Sequence, residues 1–252
     1  MPAPTASVII AAAGAGRRFA ESVGRRPGTA DERLSKVFAP LAGRPVLAHT
    51  LDRFAQVRAV TEVVVAVLPE KVEWARGEFG GSISGGRPLK FVAGGSSRTE
   101  SVASALAATD GGTELVAIHD AVRPLIRPAV IEEALRVAIE HGAAVVGRPV
   151  DHTVKSVPNG RRVAETLPRA GLWLAQTPQV FRREVLMTAY GRREDVVGQV
   201  TDDAKLVEAM GQAVMMVLGD AANIKITTPE DLMFCEAFLA AGWPFDDNPV
   251  SR

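Results

Sequence analysis

The residues best placed to do chemistry begin where the first apolar run ends. Ser7 to Ala13 leads into Gly14-Ala15-Gly16-Arg17-Arg18, so small residues follow a strand-like segment and cations follow them. Such a turn lets backbone N–H groups converge on phosphate oxygens at the carboxyl edge of a sheet. Taken alone, it also fits a tight strand-to-helix connection with no ligand. A dinucleotide fingerprint wants a small residue where Phe19 stands, and a P-loop wants Gly-Lys-Ser/Thr, which is absent. Arg17, Arg18 and, past an irregular stretch, Lys36 follow instead. Cations after a glycine turn suit a triphosphate attacked at its α-phosphorus, because charge grows on the phosphoryl oxygens and the departing pyrophosphate. Any one of them is also at home as a solvated surface charge.

Further along, Asp120 ends an apolar run, where a carboxylate can meet a ribose hydroxyl or a metal-bound water, or simply cap the next turn. His119, His49 and His141 read as packed side chains, as does His152 with less support, and no zinc site is expected. Cys235 is the only cysteine, so neither a disulfide framework nor a thiolate metal site can be built, which fits a reducing, cytoplasmic setting.

The elements that must position these residues follow from hydrophobic patterning. Val- and Ile-rich runs alternate with helical patterns, the signature of βαβ units around a mainly parallel, buried sheet of α/β class. The spacing predicts strands over 7–13, 62–68, 89–92, 115–119, 143–147 and 213–218, and helices over 45–57, 98–108, 129–141, 202–210 and 229–240. The last helix has a start signal: Thr228 can cap, Pro229 suits the first helical position, and Asp231 sits three after the cap. Glu21 to Ser35 has no apolar period and reads as a mobile loop, a candidate lid over pyrophosphate. Asp151 to Thr166 reads as a projecting hairpin, with 153–157 and 162–166 flanking Pro158-Asn159-Gly160.

Composition narrows the partners. The 252 residues are 47% hydrophobic, enough for one generous core or two lean ones, and read as one domain. Basic and acidic side chains balance at 29 each, which removes the broad positive field that nucleic acid or an anionic membrane would require. Any anion must be gripped locally. No apolar run approaches the roughly 20 residues of a membrane span, and Ser7 to Ala13 lacks the preceding basic residues of a secretory leader.

Several motifs occur together and in order: Ala-Ala-Gly-x-Gly-x-Arg, Lys36 before an aromatic, Gly43-Arg44-Pro45, Gly94-Gly95-x-x-Arg98-x-x-Ser101, His119-Asp120-Ala121-Val122-Arg123-Pro124, Gln176-Thr177-Pro178-Gln179, Thr201-Asp202-Asp203 and Asn223-Ile224-Lys225-Ile226-Thr227. The set resembles the 2-C-methyl-D-erythritol 4-phosphate cytidylyltransferases of non-mevalonate isoprenoid synthesis, from about Ser7 to Ala240. The resemblance implies a single domain over 1–252 with a three-layer, Rossmann-like nucleotidyltransferase fold and a hairpin dimerisation arm at about 150–170. It implies that CTP binds first with Mg2+, and that the 4-phosphate of methylerythritol attacks the α-phosphorus without a covalent enzyme intermediate. Arg18, Lys36, Lys225 and Arg169 would be the catalytic cations. Ala12, Ala13, Gly14, Ala15, Gly16, Gly95, Ser96, Ser101 and Asp120 would hold CTP, with Arg98 bracing the pyrimidine loop. Asp120, Arg123, Thr153, Arg169, Thr177 and Lys225 would hold the polyol phosphate, and Asp120 would approach the metal, through water. A homodimer is implied, each site completed by its neighbour's arm.

Some positions depart from the family pattern. The loop before Lys36 is long, Ser35-Lys36-Val37 replaces Pro-Lys-Gln, His152 replaces an Asp before the arm threonine, and Ala222 replaces an Asp before Asn-Ile-Lys. Ribitol 5-phosphate cytidylyltransferase is the nearest alternative, since both acceptors are short polyol phosphates. Sugar-1-phosphate enzymes follow, and a non-catalytic nucleotide binder of the same fold is the alternative from another class.

Overall fold

The structure, a computed structural model, describes residues 4–14, 35–196, 198 and 200–243. Ala15, Gly16, Arg17, Arg18 and all of the expected lid loop except Ser35 lie outside the described residues.

In chain order the elements are β1 (Ala6–Ala11), β2 (Pro40–Leu41), β3 (Arg44–Pro45), α1 (Val46–Ala55), β4 (Val60–Val67), α2 (Val72–Phe79), β5 (Ser82–Ile83), β6 (Arg87–Ala93) and α3 (Arg98–Ala107). Then come β7 (Leu115–Asp120), α4 (Pro128–His141), β8 (Ala143–Pro149), β9 (Val154–Ser156), β10 (Glu165–Leu167), β11 (Trp173–Arg182), α5 (Arg183–Gly191), α6 (Ala204–Glu208), β12 (Met215–Leu218) and α7 (Pro229–Ala240).

One eight-stranded sheet runs β12-β8-β11-β7-β1-β4-β6-β5. β1 is parallel to β4 and β7, β4 to β6, and β8 to β12; β11 is antiparallel to both of its neighbours. Alternate residues of the central strands feed two cores, as period-2 side chains must. Val8, Ile10, Val63, Val65 and Ala117 pack with α1, α4 and Cys235 of α7 on one face. Ile9, Val64, Ala66, Val116 and Ile118 pack with α3, α5 and α6 on the other. The result is helices, sheet, helices: the α/β layering that the periodicity predicts.

Differences from the expected elements have physical reasons. β11 was not expected, because Gln176-Thr177-Pro178-Gln179 interrupts its apolar pattern and proline argues against a central strand. The chain accommodates it with a register shift between Ala175 and Gln179 on β8. α2 and α5 are short and weakly apolar on the buried side, so neither stands out by pattern. The hairpin exists, but its strands are shorter than predicted and the second starts three residues later, leaving 157–164 as a longer loop. It forms a two-stranded sheet of its own, and no residue from 151 to 171 is buried.

Candidate active site

Parallel pairing sets the ends of β1, β4, β6 and β7 at one edge of the sheet: Ala11 pairs with Ala66 and with Asp120, and Val67 pairs with Ala93. The segments that leave these strands, 12–14, 94–97 and 120–123, therefore meet there. Their approach is tight. A Cβ at Gly94 would collide with that of Ala13, and one at Gly95 with that of Glu100, so only glycine fits at either place. The Ser101 hydroxyl accepts from the Gly95 N–H at 3.1 Å and donates to the Ser97 carbonyl at 2.7 Å, while Ser97 caps α3. The 94–101 loop is thereby pinned against the start of its own helix.

A cavity of about 350 Å³ opens between these segments, lined by Ala12, Ala13, Gly14, Lys36, Gly95, Ser96, Arg98, Ser101, Asp120 and Lys225, among others. A second concavity of about 240 Å³ adjoins it, lined by Arg98, Asp120, Arg123, Ala175, Gln176, Thr177, Gln179, Thr201, Asp202 and Lys225. Arg98, Asp120 and Lys225 belong to both. A more open cleft of about 460 Å³ sits at the opposite end of the sheet, by Glu114 and Arg182.

Asp120 is the electrostatic centre. Its carboxylate meets Lys225 Nζ at 2.8 Å, Arg98 Nε at 3.4 Å and Arg123 Nε at 3.5 Å. Burial alone would raise its pKa, but these cations outweigh burial and hold the carboxyl well below the usual carboxylate range. Arg98 is shared: its Nη1 also donates to buried Asp203 at 2.7 Å, which Tyr190 contacts from the far side at 2.5 Å. Burial pushes the Asp203 carboxyl up despite Arg98. Arg123 donates from Nη1 to the Asn223 carbonyl at 2.8 Å, and the Asn223 amide donates to the Thr177 carbonyl at 3.0 Å and to Gln176 at 3.1 Å. These bonds tie the 120–123 turn, β11 and the segment that carries Lys225 into one frame. The cluster gathers Arg98, Arg123 and Lys225 around Asp120, with Asp203 behind Arg98, so cations outnumber carboxylates, which suits two anions brought together.

The matching family model spans residues 6–241 and is that of 2-C-methyl-D-erythritol 4-phosphate cytidylyltransferase. The chain belongs to the 2-C-methyl-D-erythritol 4-phosphate cytidylyltransferase family. The curated cytidylyltransferase of that name from Solibacter usitatus is 42% identical over 238 residues, covering 92% of this chain and 95% of the relative. The crystal structure of the Thermus thermophilus cytidylyltransferase superposes with a TM-score of 0.71 at 34% identity, covering 94% of this chain and 99% of that one. A 4-diphosphocytidyl-2C-methyl-D-erythritol synthase from Anaerococcus prevotii gives a TM-score of 0.77 at 27% identity, with the same coverage. The chain is thus a cytidylyltransferase, a nucleotidyltransferase by reaction type, with the α/β fold of that family.

Most of the residues that the family resemblance singled out meet at this edge. Ala12, Ala13, Gly14, Lys36, Gly95, Ser96, Ser101, Asp120 and Lys225 line the first cavity, and Arg123 and Thr177 the second. Ala15, Gly16 and Arg18 lie outside the described residues. Thr153 and Arg169 line neither concavity: both are exposed on the arm, and Arg169 donates to the Asp151 carbonyl at its base. Asp220, the acid nearest to Ala222 in the chain, points elsewhere: it lies 2.8 Å from Arg127 and accepts from the Ala222 N–H. Sequence reading gave no individual role to Gln176, Gln179, Thr201, Asp202 or Asp203. Their motifs stood out, but only the fold brings them to the second concavity or behind Arg98.

Proposed function

We propose that the chain transfers the cytidylyl group of CTP to 2-C-methyl-D-erythritol 4-phosphate, releasing pyrophosphate in non-mevalonate isoprenoid precursor synthesis. The observation that carries this is the pair of adjoining concavities that share Arg98, Asp120 and Lys225. The first takes CTP: backbone groups and small side chains at Ala12, Ala13, Gly95, Ser96 and Ser101 leave room for a pyrimidine and exclude a purine by size. Its triphosphate runs from Gly14 toward Lys36. The second takes the polyol phosphate, whose phosphate faces Arg123 and Lys225, because a guanidinium fork and an ammonium both suit that group.

In the reaction a 4-phosphate oxygen bonds to the α-phosphorus while the bond to the bridging oxygen breaks and pyrophosphate departs. The nucleophile is already ionised, so no general base is needed. Lys36 and Lys225 stabilise the charge that grows on the phosphoryl oxygens. Asp120 fixes Lys225 and Arg98 and receives the ribose hydroxyls. Among the described residues no group of three or more His, Cys, Asp or Glu side chains could cage a metal, and Asp120 is engaged by three cations. Asp120 would be the residue to meet Mg2+ carried in on the triphosphate. The ion would neutralise charge on the β- and γ-phosphates.

The arm is read as a dimerisation device that delivers Thr153 and Arg169 to the neighbouring site. Support comes from Val157, Val163, Leu172, Trp173 and Leu174 on the arm and its root, and from Met215, Met216 and Leu218 on edge strand β12, all exposed. Gly147 of β8 lies between the Met216 side chain and the Leu174 carbonyl. A cytoplasmic location is proposed from the lone, buried Cys235; no described helix is long and apolar enough to cross a membrane. Pyrophosphate release measured with CTP, UTP, ATP and GTP, each crossed with methylerythritol and ribitol phosphates, tests the assignment. Release confined to CTP with 2-C-methyl-D-erythritol 4-phosphate supports it. Preference for ribitol phosphate or another nucleotide defeats it.

A further inference from the structure

His119 has no task in the proposed reaction, yet it is completely buried at the end of β7, edge-on to Phe54 with ring centroids 5.0 Å apart. Its surroundings dictate where its proton sits. Nε2 lies 3.1 Å from the Arg123 carbonyl, which can only accept, so Nε2 carries the hydrogen. With the ring wholly buried against Phe54 and Nδ1 facing a hydroxyl rather than a carboxylate, the imidazole is neutral and Nδ1 is an acceptor. Nδ1 lies 3.0 Å from the Thr177 hydroxyl, which must therefore donate to it. That same hydroxyl oxygen accepts from the Asp120 N–H at 3.1 Å, and the Arg123 N–H closes the turn onto the Asp120 carbonyl at 3.1 Å. Thr177 lines the second concavity with its proton already spent.

We propose that His119 is a positioning and specificity-determining residue for the acceptor. By holding the Thr177 proton, it leaves that hydroxyl able to receive a hydrogen bond from a hydroxyl of the bound polyol phosphate and unable to donate one to its phosphate. By gripping the Arg123 carbonyl, it fixes the turn from which Asp120 and Arg123 face the same concavity. The inference rests on the reading of that concavity as the acceptor subsite. It divides the work there: Arg123 and Lys225 take the phosphate, and Thr177 reads the polyol.

Imidazole 15N shifts of His119 in the labelled wild-type protein at pH 7 report the tautomer directly. A protonated Nε2 beside a bare Nδ1 is expected; the reverse tautomer, or an imidazolium, overturns the proposal. Kinetics supply the second arm. His119→Phe keeps the ring volume and loses both hydrogen bonds, and the KM for 2-C-methyl-D-erythritol 4-phosphate should rise about tenfold while that for CTP stays within about twofold. His119→Asn, whose Oδ1 can stand where Nδ1 stood, should recover most of the loss. An unchanged acceptor KM in His119→Phe, an equal rise in both KM values, or no recovery in His119→Asn overturns it. Should both variants fail to fold, the tautomer decides alone. Absence of pyrophosphate release by the wild-type protein would sink the assigned reaction, whereas the wrong tautomer in an active enzyme sinks only the role of His119.

Discussion

Asp120 and Lys225 form an ion pair 2.8 Å apart, yet they serve opposite ends of the chemistry. The carboxylate is buried and the lysine is partly open to the cavities, so Lys225 can turn its remaining donors toward a phosphate while Asp120 anchors it. Lys225→Ala should lower kcat on the order of a hundredfold, the scale of losing one preorganised donor at a reacting phosphoryl group. Steady-state pyrophosphate release checks this, and unchanged turnover would refute the role. At this scale Lys36, Asp120, Arg123 and Lys225 were legible because each sits in a short local motif. Asp203 was not: it holds Arg98 from 105 positions away, and only the packing of α5 and α6 on the sheet brings Tyr190 to its other side. Nothing in the local sequence encodes that separation.

Elements make these contacts reproducible. α7 begins four residues after Lys225 with a capping box, in which the Thr228 hydroxyl accepts from the Asp231 N–H and the Asp231 carboxylate accepts from the Thr227 and Thr228 N–H groups. Thr228→Ala should cost about 1 kcal/mol in chemical denaturation, and an unchanged midpoint would contradict the cap's role. At the other edge of the sheet, the buried Glu62 carboxylate accepts from Ser7 at 2.7 Å, the Asp110 N–H at 2.5 Å and Lys90 at 2.7 Å. Burial alone would raise its pKa, but Lys90 and these donors hold it below its ordinary value. Such a group stabilises the fold above the unfolded-state pKa and loses that contribution as pH falls through the folded-state value. Glu62→Gln should therefore be less stable than wild type by about 1–2 kcal/mol at pH 7, a modest figure because Lys90 is half in solvent. The gap should narrow below about pH 4; a gap independent of pH would show that the charge is not the cause. The parallel strands and the cap were readable from period and residue type, since both are local. β11 was not, because the residues that break its pattern, Gln176 to Gln179, are those that face the second concavity and tie it to Asn223 and Asp202.

For the whole molecule, the arm poses the main question. Val157, Val163, Trp173 and Leu174 are exposed in a single chain, a cost in water that a second copy would remove. Leu174→Asp should give a folded monomer in sedimentation equilibrium, with activity reduced at least about tenfold if Thr153 and Arg169 act on the neighbouring site. A fully active monomer would separate the arm from catalysis. The existence of the hairpin was legible from its turn residues and alternating pattern; its target was not, since a surface that meets another chain looks locally like any exposed strand. The account as a whole stands on two substrates meeting where the concavities share Arg98, Asp120 and Lys225. A crystal structure of the complex with CTP and magnesium tests that most directly. Cytosine is expected against Gly95, Ser96 and Ser101, with the α-phosphate beside Lys225 and the pyrophosphate end toward Lys36. A nucleotide bound elsewhere, or turned so that its α-phosphate points away from the second concavity, would contradict it.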